Sequence, residues 1–362
     1  MTRRVVRERP KISVYLARAM KVDLGWQQKR SRDQPISRRT FGYMLAGLLV
    51  AAPRMAITQG QTVVRRIGRL EPGLPDTPED IRNGAEPLRE LGWVEGHNLR
   101  VERRYANNRL EALQPLAEEL VRAKVEVIVT GGTSATVAAK RATTTIPIVF
   151  RAAGDPVLFG LVASLARPGG NVTGFSVADP EVAAKYLSLL KELLPALRRI
   201  GVFEPSVNPY FRAAREQFKH SCGSLGLEPV FVEIATTSEI GGAIAQLAEQ
   251  RVQGLLLRAD SFVFDHRFEI VGAAMKHGFP TMAEQPEVVR EAGALVSYSM
   301  TQGEEDRRSA SYVDRILRGA KPADLPVEQP TKFQLLINLK TAKALGITIP
   351  QSLLLRADEV IQ

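Results

Sequence analysis

Residues 125–150 read VEVIVTGGTSATVAAKRATTTIPIVF, and this stretch decides the fold class. It opens with Val125–Thr130, an apolar run rich in β-branched residues that is typical of a buried strand. Two glycines then lead into a helical pattern at Ser134–Thr143, and a second apolar run follows at Ile146–Phe150. A strand, a helix and another strand with short connectors indicate a parallel sheet that helices cover.

The same alternation continues along the chain beyond residue 62. One sheet would have to be very wide to hold every predicted strand, so we predict an α/β fold with two doubly wound, Rossmann-like lobes. Pro168-Gly169-Gly170-Asn171 is the strongest mid-chain turn signal, and we place the lobe boundary just after it, near Val177. The other predicted strands are Val63–Leu70, Ile200–Phe203, Pro229–Ile234, Gly254–Leu257 and Ala294–Tyr298, and the other predicted helices are Pro78–Leu91, Leu110–Ala123, Val182–Leu194, Pro209–Leu225, Ser238–Gln250 and Phe264–His277.

Composition indicates a globular protein whose net positive charge comes entirely from its first 60 residues. Of 362 residues, 44% are hydrophobic and 24% charged, which is ordinary for a folded chain. Residues 1–60 hold 13 Lys and Arg but only 3 Asp and Glu, so they carry the whole net charge of +10. The remainder is neutral by count. We therefore expect no nucleic-acid partner, despite the high overall pI.

SRRTFGYMLAGLLVAA (residues 37–52) is interpreted as an export signal within residues 1–60. The run from Phe41 to Ala52 would be about 18 Å long as a helix, which is too short for a hydrocarbon core of roughly 30 Å. Arg38 and Arg39, with Phe41 close behind, resemble the twin-arginine export consensus. A Sec-type leader and a short buried helix are the alternatives. The predicted cleavage lies between Ala52 and Gln61, which gives a periplasmic or extracytoplasmic mature protein.

Small polar residues follow two of the predicted strands in the first lobe. In parallel sheets, ligands bind beyond the carboxyl ends of the strands, where helices begin. After Val125–Thr130, Gly132 allows a tight turn, and Thr133 or Ser134 can cap the next helix and offer a hydroxyl to a carboxylate or phosphate. After Ile146–Phe150 come Gly154 and Asp155, with Asp155 as a possible N-cap before a proline.

Two strands of the second lobe end in a similar way. Asn208 follows Ile200–Phe203, where it can cap a helix or reach into a cleft. Asp260 follows Gly254–Leu257 and could accept an ammonium group, with Phe262 offering an aromatic face to the same cation. Ordinary helix capping is the alternative for each of these residues.

Catalytic and metal-binding patterns are missing from the sequence. The four histidines show no metal-ligand spacing, and no nucleophile elbow, Walker loop or dinucleotide fingerprint follows a predicted strand. Cys222 is the only cysteine, so no internal disulfide can form. We therefore predict a binding protein that is not an enzyme and uses no cofactor or metal.

One known family resembles this chain in three stretches: LRELGWVEGHNLRVERRYA (Leu88–Ala106), IPIVFRAAGDPVLFGLVASLARPGGNVTG (Ile146–Gly174) and KPADLPVEQPTKFQLLINLKTAKALGITIPQSLLLRADEVI (Lys321–Ile361). It is the family of ABC-type transport system substrate-binding proteins. Members with assigned ligands bind aromatic amino acids such as tryptophan and tyrosine. The resemblance covers about residues 65–362 and implies a type I periplasmic-binding-protein fold, with two α/β lobes joined by three hinge crossings.

The resemblance also implies roles for individual residues. Thr133 and Ser134 would hold a ligand carboxylate, while Asn208 and Asp260 would face it from the other lobe. Tyr298 lies where the family has a Ser-Tyr-Gly hinge.

Two departures from the family lie near the expected cleft. Ser299 replaces the hinge glycine, and the loop at Glu284–Glu291 differs from the aromatic-containing loop of the family.

The resulting functional expectation is an exported receptor that delivers a small, amino-acid-like solute to an ABC permease and its ATPase. We expect a monomer with a removed leader at 1–60, lobe 1 at 61–176, lobe 2 at 177–298 and a C-terminal segment at 299–362 that recrosses the hinge. A two-lobed ligand-sensing regulator and an exported enzyme are the rival interpretations. The regulator would need a helix-turn-helix in residues 1–60, where the sequence offers an apolar leader instead.

Overall fold

The computed structural model describes residues 63–177, 180–205, 208–301 and 303–362, and every structural statement below refers to them. They belong to one compact unit, residues 61–362. The predicted export residues Arg38, Arg39 and Phe41 lie outside the described part of the chain.

Strands and helices alternate along the described chain as expected. The strands are β1 Arg65–Glu71, β2 Leu99–Tyr105, β3 Val127–Gly131, β4 Ile148–Ala153, β5 Val172–Ser176, β6 Arg199–Pro205, β7 Glu228–Ile234, β8 Leu255–Leu257, β9 Thr281–Ala283, β10 Val296–Met300, β11 Phe333–Asn338 and β12 Glu359–Ile361. The helices are α1 Pro78–Glu90, α2 Leu113–Arg122, α3 Gly132–Ala142, α4 Pro180–Leu193, α5 Pro209–Ser224, α6 Ile240–Glu249, α7 Ser261–Asp265, α8 Arg267–Lys276, α9 Pro286–Arg290, α10 Glu304–Leu317, α11 Leu339–Ala344 and α12 Gln351–Leu354.

The strands form two separate sheets, which confirms the predicted two-lobed α/β fold. The first sheet has the order β2-β1-β3-β4-β5, and the second has the order β12-β11-β10-β9-β8-β6-β7. Every pairing described in them is parallel except that of β10 with β11. Each sheet has hydrophobic clusters on both faces, as a doubly wound sheet requires.

Several elements differ from the sequence prediction. β2 was missed because its sequence, LRVERRY, is too charged to resemble a buried strand, and it lies at the edge of the first sheet. The helix predicted at Phe264–His277 is present as α8 but begins later, at Arg267. The residues before it belong to the short helix α7, and the two helices meet at His266, whose backbone leaves helical geometry at φ −111° and ψ 22°. Strands β5, β9, β11 and β12 were also missed, and β9 and β12 have only three residues each.

The end of the chain contributes to both lobes. After β10 the chain returns to the first lobe, where Tyr312 and Val313 of α10 pack against Ile67 of β1. It then crosses back to the second sheet as β11 and β12. Together with the passage that follows β5, three connections therefore join the lobes.

Candidate ligand-binding cleft

The two lobes touch on opposite sides of a cleft at the carboxyl ends of their strands. On one side, Asp265 at the end of α7 accepts hydrogen bonds from the Leu74 backbone N–H (3.0 Å) and from Nδ2 of Asn108 (2.9 Å). On the other side, the Tyr210 ring lies 6.3 Å from the Phe159 ring, measured between centroids. The lobes are thus closed on each other.

Gly154, which follows β4, lies against the second lobe. A β-carbon at this position would overlap three carbons of the Tyr210 ring, which belongs to the first turn of α5. Gly154 is not among the residues with positive φ, so glycine is required here by the space between the lobes and not by the backbone angle.

Four of the predicted site residues lie along one line of contacts across the cleft. Thr133 Oγ1 accepts a hydrogen bond from the Gly154 N–H at 2.9 Å, and Gly154 contacts Tyr210. The Tyr210 N–H donates to Oδ1 of Asn208 at 3.1 Å. Nδ2 of Asn208 donates in turn to Oδ2 of Asp260 at 2.9 Å. The line therefore runs from the start of α3 in the first lobe to the start of α7 in the second.

The start of α3 differs in one respect from the prediction. The helix begins at Gly132, whose φ is +70°, so Thr133 and Ser134 lie inside its first turn and do not cap it. Gly131, the residue before this helix, has no room for a β-carbon, because the Glu71 carboxylate occupies that space. The first-turn N–H groups of a helix have no partner within the helix, so this end favours an anion.

Asp260 places a desolvated carboxylate at the opposite end of the line. Its Oδ1 accepts the Phe262 N–H at 2.9 Å, which makes it the N-cap of α7. Burial raises the pKa of Asp260 to about 6, although the hydrogen bonds from Asn208 and Phe262 oppose the rise. The group is therefore ionised at neutral pH, in an environment that favours a cationic partner.

An ionic network closes the first-lobe edge of the cleft. Arg151 of β4 contacts Glu71 of β1 at 3.1 Å and Asp306 of α10 at 2.6 Å. Burial acts to raise the pKa of Glu71, but Arg151 and Arg69 outweigh it and lower that pKa. Nearby, burial raises the pKa of Glu305 to about 7.

On the second-lobe side, Arg258 lies against the Tyr210 ring and pairs with two carboxylates. Arg258 is buried, and its guanidinium lies over the rings of Phe211 (4.6 Å), Phe218 (5.2 Å) and Tyr210 (5.5 Å). Its ion pairs with Glu284 (3.6 Å) and Glu204 (3.8 Å) are loose. Tyr210 was not predicted as a site residue, although it lies in the first helical turn after Asn208, at the same strand end as the predicted residue.

Three predicted site residues are held elsewhere in the fold. Asp155 Oδ1 accepts hydrogen bonds from the backbone N–H groups of Val157 and Leu158, at 2.9 Å each. Asp155 therefore closes a turn at a position where a helix was expected. Phe262 is 2% exposed within the second-lobe core, with its ring 4.5 Å from that of His266. Tyr298 stacks on Phe333 with a centroid distance of 5.3 Å.

The architecture defines a class: a two-lobed protein that can close on a small molecule. The chain belongs to the ABC transporter substrate binding protein family, whose sequence profile matches residues 75–361. This fold and family are those of binding proteins, and the chain is a substrate-binding receptor of the ABC importer type with a type I periplasmic-binding-protein fold. None of the helices in the described ranges is long and apolar enough to cross a membrane.

Known relatives agree with this assignment. A tyrosine-binding protein of Clostridioides difficile is 29% identical over 260 residues, which are 72% of this chain and 74% of that protein. An ABC domain from Streptococcus pneumonia in complex with L-Trp is 27% identical, with a TM-score of 0.75 over 82% of this chain and 100% of that one.

A third relative is known in an open form. It is a Clostridium difficile substrate binding protein with adhesive properties, in a ligand-free, open structure. It is 25% identical, with a TM-score of 0.59 over 83% of this chain and 100% of that one.

Proposed function

We propose that this chain is an exported solute receptor that captures a small amino acid between its lobes, with aromatic amino acids as the first candidates. The line of contacts from Thr133 to Asp260 carries the proposal. It joins an anion-favouring helix start to a desolvated carboxylate across the cleft, and a zwitterion offers one charge to each. The relatives described for tyrosine and L-Trp support the same ligand class.

In this mechanism each lobe supplies half of the ligand contacts. The first turn of α3, with Gly132, Thr133 and Ser134, receives the ligand carboxylate. Asp260, oriented by Asn208, receives the ammonium group. Ligand that bridges both groups favours the closed form, and the lobes (61–176 and 177–298, completed by 299–362) rotate about the three connections.

The receptor then acts as a monomer that docks on a membrane permease powered by an ATPase, and it performs no chemistry itself. Export through the leader in residues 1–60, with Arg38 and Arg39 recognised by the twin-arginine pathway, delivers it to the extracytoplasmic side.

The pH dependence of binding tests the role of Asp260. Its pKa is raised, so its charge is present above about pH 6 and is lost as the pH falls through that value. We expect the affinity for an amino acid to fall by about tenfold per pH unit below pH 6, since the ligand ammonium and carboxylate keep their charges there. Isothermal titration between pH 4.5 and 8, as chosen assay conditions roughly spanning that pKa, measures the profile.

The matched control is Asp260→Asn, which keeps the size of the side chain and removes its charge. We expect weaker binding at neutral pH and a flat profile. An Asp260→Asn profile that still titrates like the parent would remove this residue from the ligand site.

A ligand screen tests the function as a whole. The protein is unfolded and refolded to strip carried-over solute and then heated with amino acids, aromatic acids, sugars and nucleosides. Ligand at a hundred times its dissociation constant adds about 2.7 kcal/mol of stability, which moves the midpoint by several degrees. A shift confined to amino acids supports the proposal, whereas a shift confined to sugars or nucleosides contradicts it.

A further inference from the structure

A cavity of about 370 Å³ lies beneath α1, inside the first lobe and away from Asp260 and Asn208. Its volume is in the range of small-molecule sites. The sheet supplies Ile67, Val101 and Val129 as its floor, and α10 supplies Ala310 and Val313 as one wall. All of its lining residues belong to β1–β4, α1, α10 or the α1–β2 connection. Arg151 and Asp306 at its edge also belong to the ionic network described above, whereas Thr133, Gly154, Tyr210, Asn208 and Asp260 do not line it.

The sequence of α1 explains why the space is open. Amphipathic helices normally bury large apolar side chains against their sheet. All of α1 is described, and none of its residues is fully buried. Gly84 and Ala85 line the cavity and extend almost nothing into it, while Leu88 reaches it from the next turn. Trp93 closes the far end, where its Nε1 donates to Asp314 at 2.8 Å.

The polar part of the lining is dominated by arginine. The Nε atoms of Arg103 and Arg151 are buried without a hydrogen-bond partner among the described residues. Arg82 lies exposed at the rim and forms no ion pair with any described carboxylate. A buried N–H donor such as these two Nε groups costs free energy unless it has a hydrogen-bond acceptor.

The acidic residues of the lining do not offset these donors. Glu86 is paired with Arg89, and Asp306 is paired with Arg151. Glu95 binds Arg103 through both carboxylate oxygens at 2.7 Å, which leaves Nε of that arginine unused. The cavity therefore combines apolar walls with a polar lining of five arginines and only three acidic residues.

We propose that this cavity is a second ligand site, which binds a small apolar carboxylate such as an aromatic or branched-chain acid. The apolar part of the ligand lies on Ile67, Val101 and Val313, and its carboxylate pairs with the guanidinium of Arg82 at the rim. The site is independent of the amino-acid cleft proposed above, so either can fail without the other.

Trp93 provides a direct test with 3-phenylpropionate and its uncharged analogue 3-phenylpropionamide. The protein has two tryptophans, so Trp26→Phe in the full chain leaves Trp93 as the only one. We expect a saturable change in its fluorescence with the carboxylate and at least tenfold weaker binding of the amide. No saturable change with either probe, or equal affinity for both, would overturn the proposal.

Filling the cavity separates this site from the cleft. A β-carbon at Gly84 would meet only the flexible end of Arg69, at 3.3 Å, so Gly84→Leu should enter the space without disturbing the backbone. We expect this variant to abolish the Trp93 response, while Gly272→Leu keeps it. Gly272 is an exposed helical glycine of α8 with nothing near its β-carbon position.

Arg82→Gln tests the charge without filling the space. It should weaken 3-phenylpropionate binding about fivefold and leave the amide unaffected, as expected for an exposed ionic contact. Unchanged carboxylate affinity in both Gly84→Leu and Arg82→Gln would place the bound probe elsewhere and refute the second site.

Discussion

Replacing Arg151 with methionine is expected to lower the free energy of unfolding by about 3 kcal/mol. Arg151 is the cation that Glu71 and Asp306 share, and both carboxylates have lowered pKa values in spite of their burial. Methionine fills much of the same space but leaves the two carboxylates close together without that cation. Urea denaturation monitored by circular dichroism measures the loss.

The pH dependence shows whether charge causes this loss. Groups with lowered pKa values stabilise the fold above their ordinary pKa, near 4, and lose that contribution as the pH falls. The difference between Arg151→Met and the parent should therefore shrink between about pH 6 and pH 3.5. A difference that stays constant with pH would assign the effect to packing.

The matched control is Arg89→Met, on the surface of α1. Arg89 pairs with Glu86 three residues earlier, and 64% and 46% of their side chains are exposed. Exposed pairs contribute little, so we expect a change in the free energy of unfolding no larger than the error of the measurement. A loss as large as that of Arg151→Met would contradict the view that burial decides the worth of these ion pairs.

Gly154→Ala is expected to weaken ligand binding by about tenfold to a hundredfold. The added β-carbon overlaps the Tyr210 ring only when the lobes are closed, so it opposes the closed form. Overpacking of this kind costs about 1–3 kcal/mol, which gives that range of affinity. Titration calorimetry measures the affinity, and small-angle scattering should show a larger radius of gyration with ligand than the parent has.

Two variants control for other effects of adding a methyl group. Gly170→Ala places one at an exposed position with open space around it, and it should bind as the parent does. Tyr210→Ser in the Gly154→Ala background removes the overlapping ring and should restore the closed radius of gyration. A Gly154→Ala protein that closes normally would show that Tyr210 can move aside and that glycine is not required.

Much of the candidate site could be predicted from the sequence because it lies on short connections between strong elements. Thr133, Gly154, Asn208 and Asp260 each follow a buried strand, and the parallel arrangement brings all such positions to one edge of a sheet. Periodicity and β-branched runs were sufficient to locate those strands. Phe262 was placed less well, since spacing alone does not reveal that its ring turns into the core.

The contacts that depend on the relative placement of the lobes were beyond the sequence. Tyr210 opposes Gly154, and Asp265 bonds to Asn108, only because two separately folded sheets meet at particular angles. Arg151 and Asp306 are 155 residues apart in the chain, and only the return of α10 to the first lobe joins them.

By itself the sequence determined the class of fold, the alternation of strands and helices, and the strand ends that carry the candidate site residues. These features follow from local periodicity and turn chemistry, which neighbouring residues specify. The tertiary structure alone decided which side chains face each other across the cleft, which carboxylates share a cation, and that a cavity remains beneath α1. Those outcomes depend on burial and distance between residues far apart in the chain, and the pattern along a single strand or helix contains neither quantity.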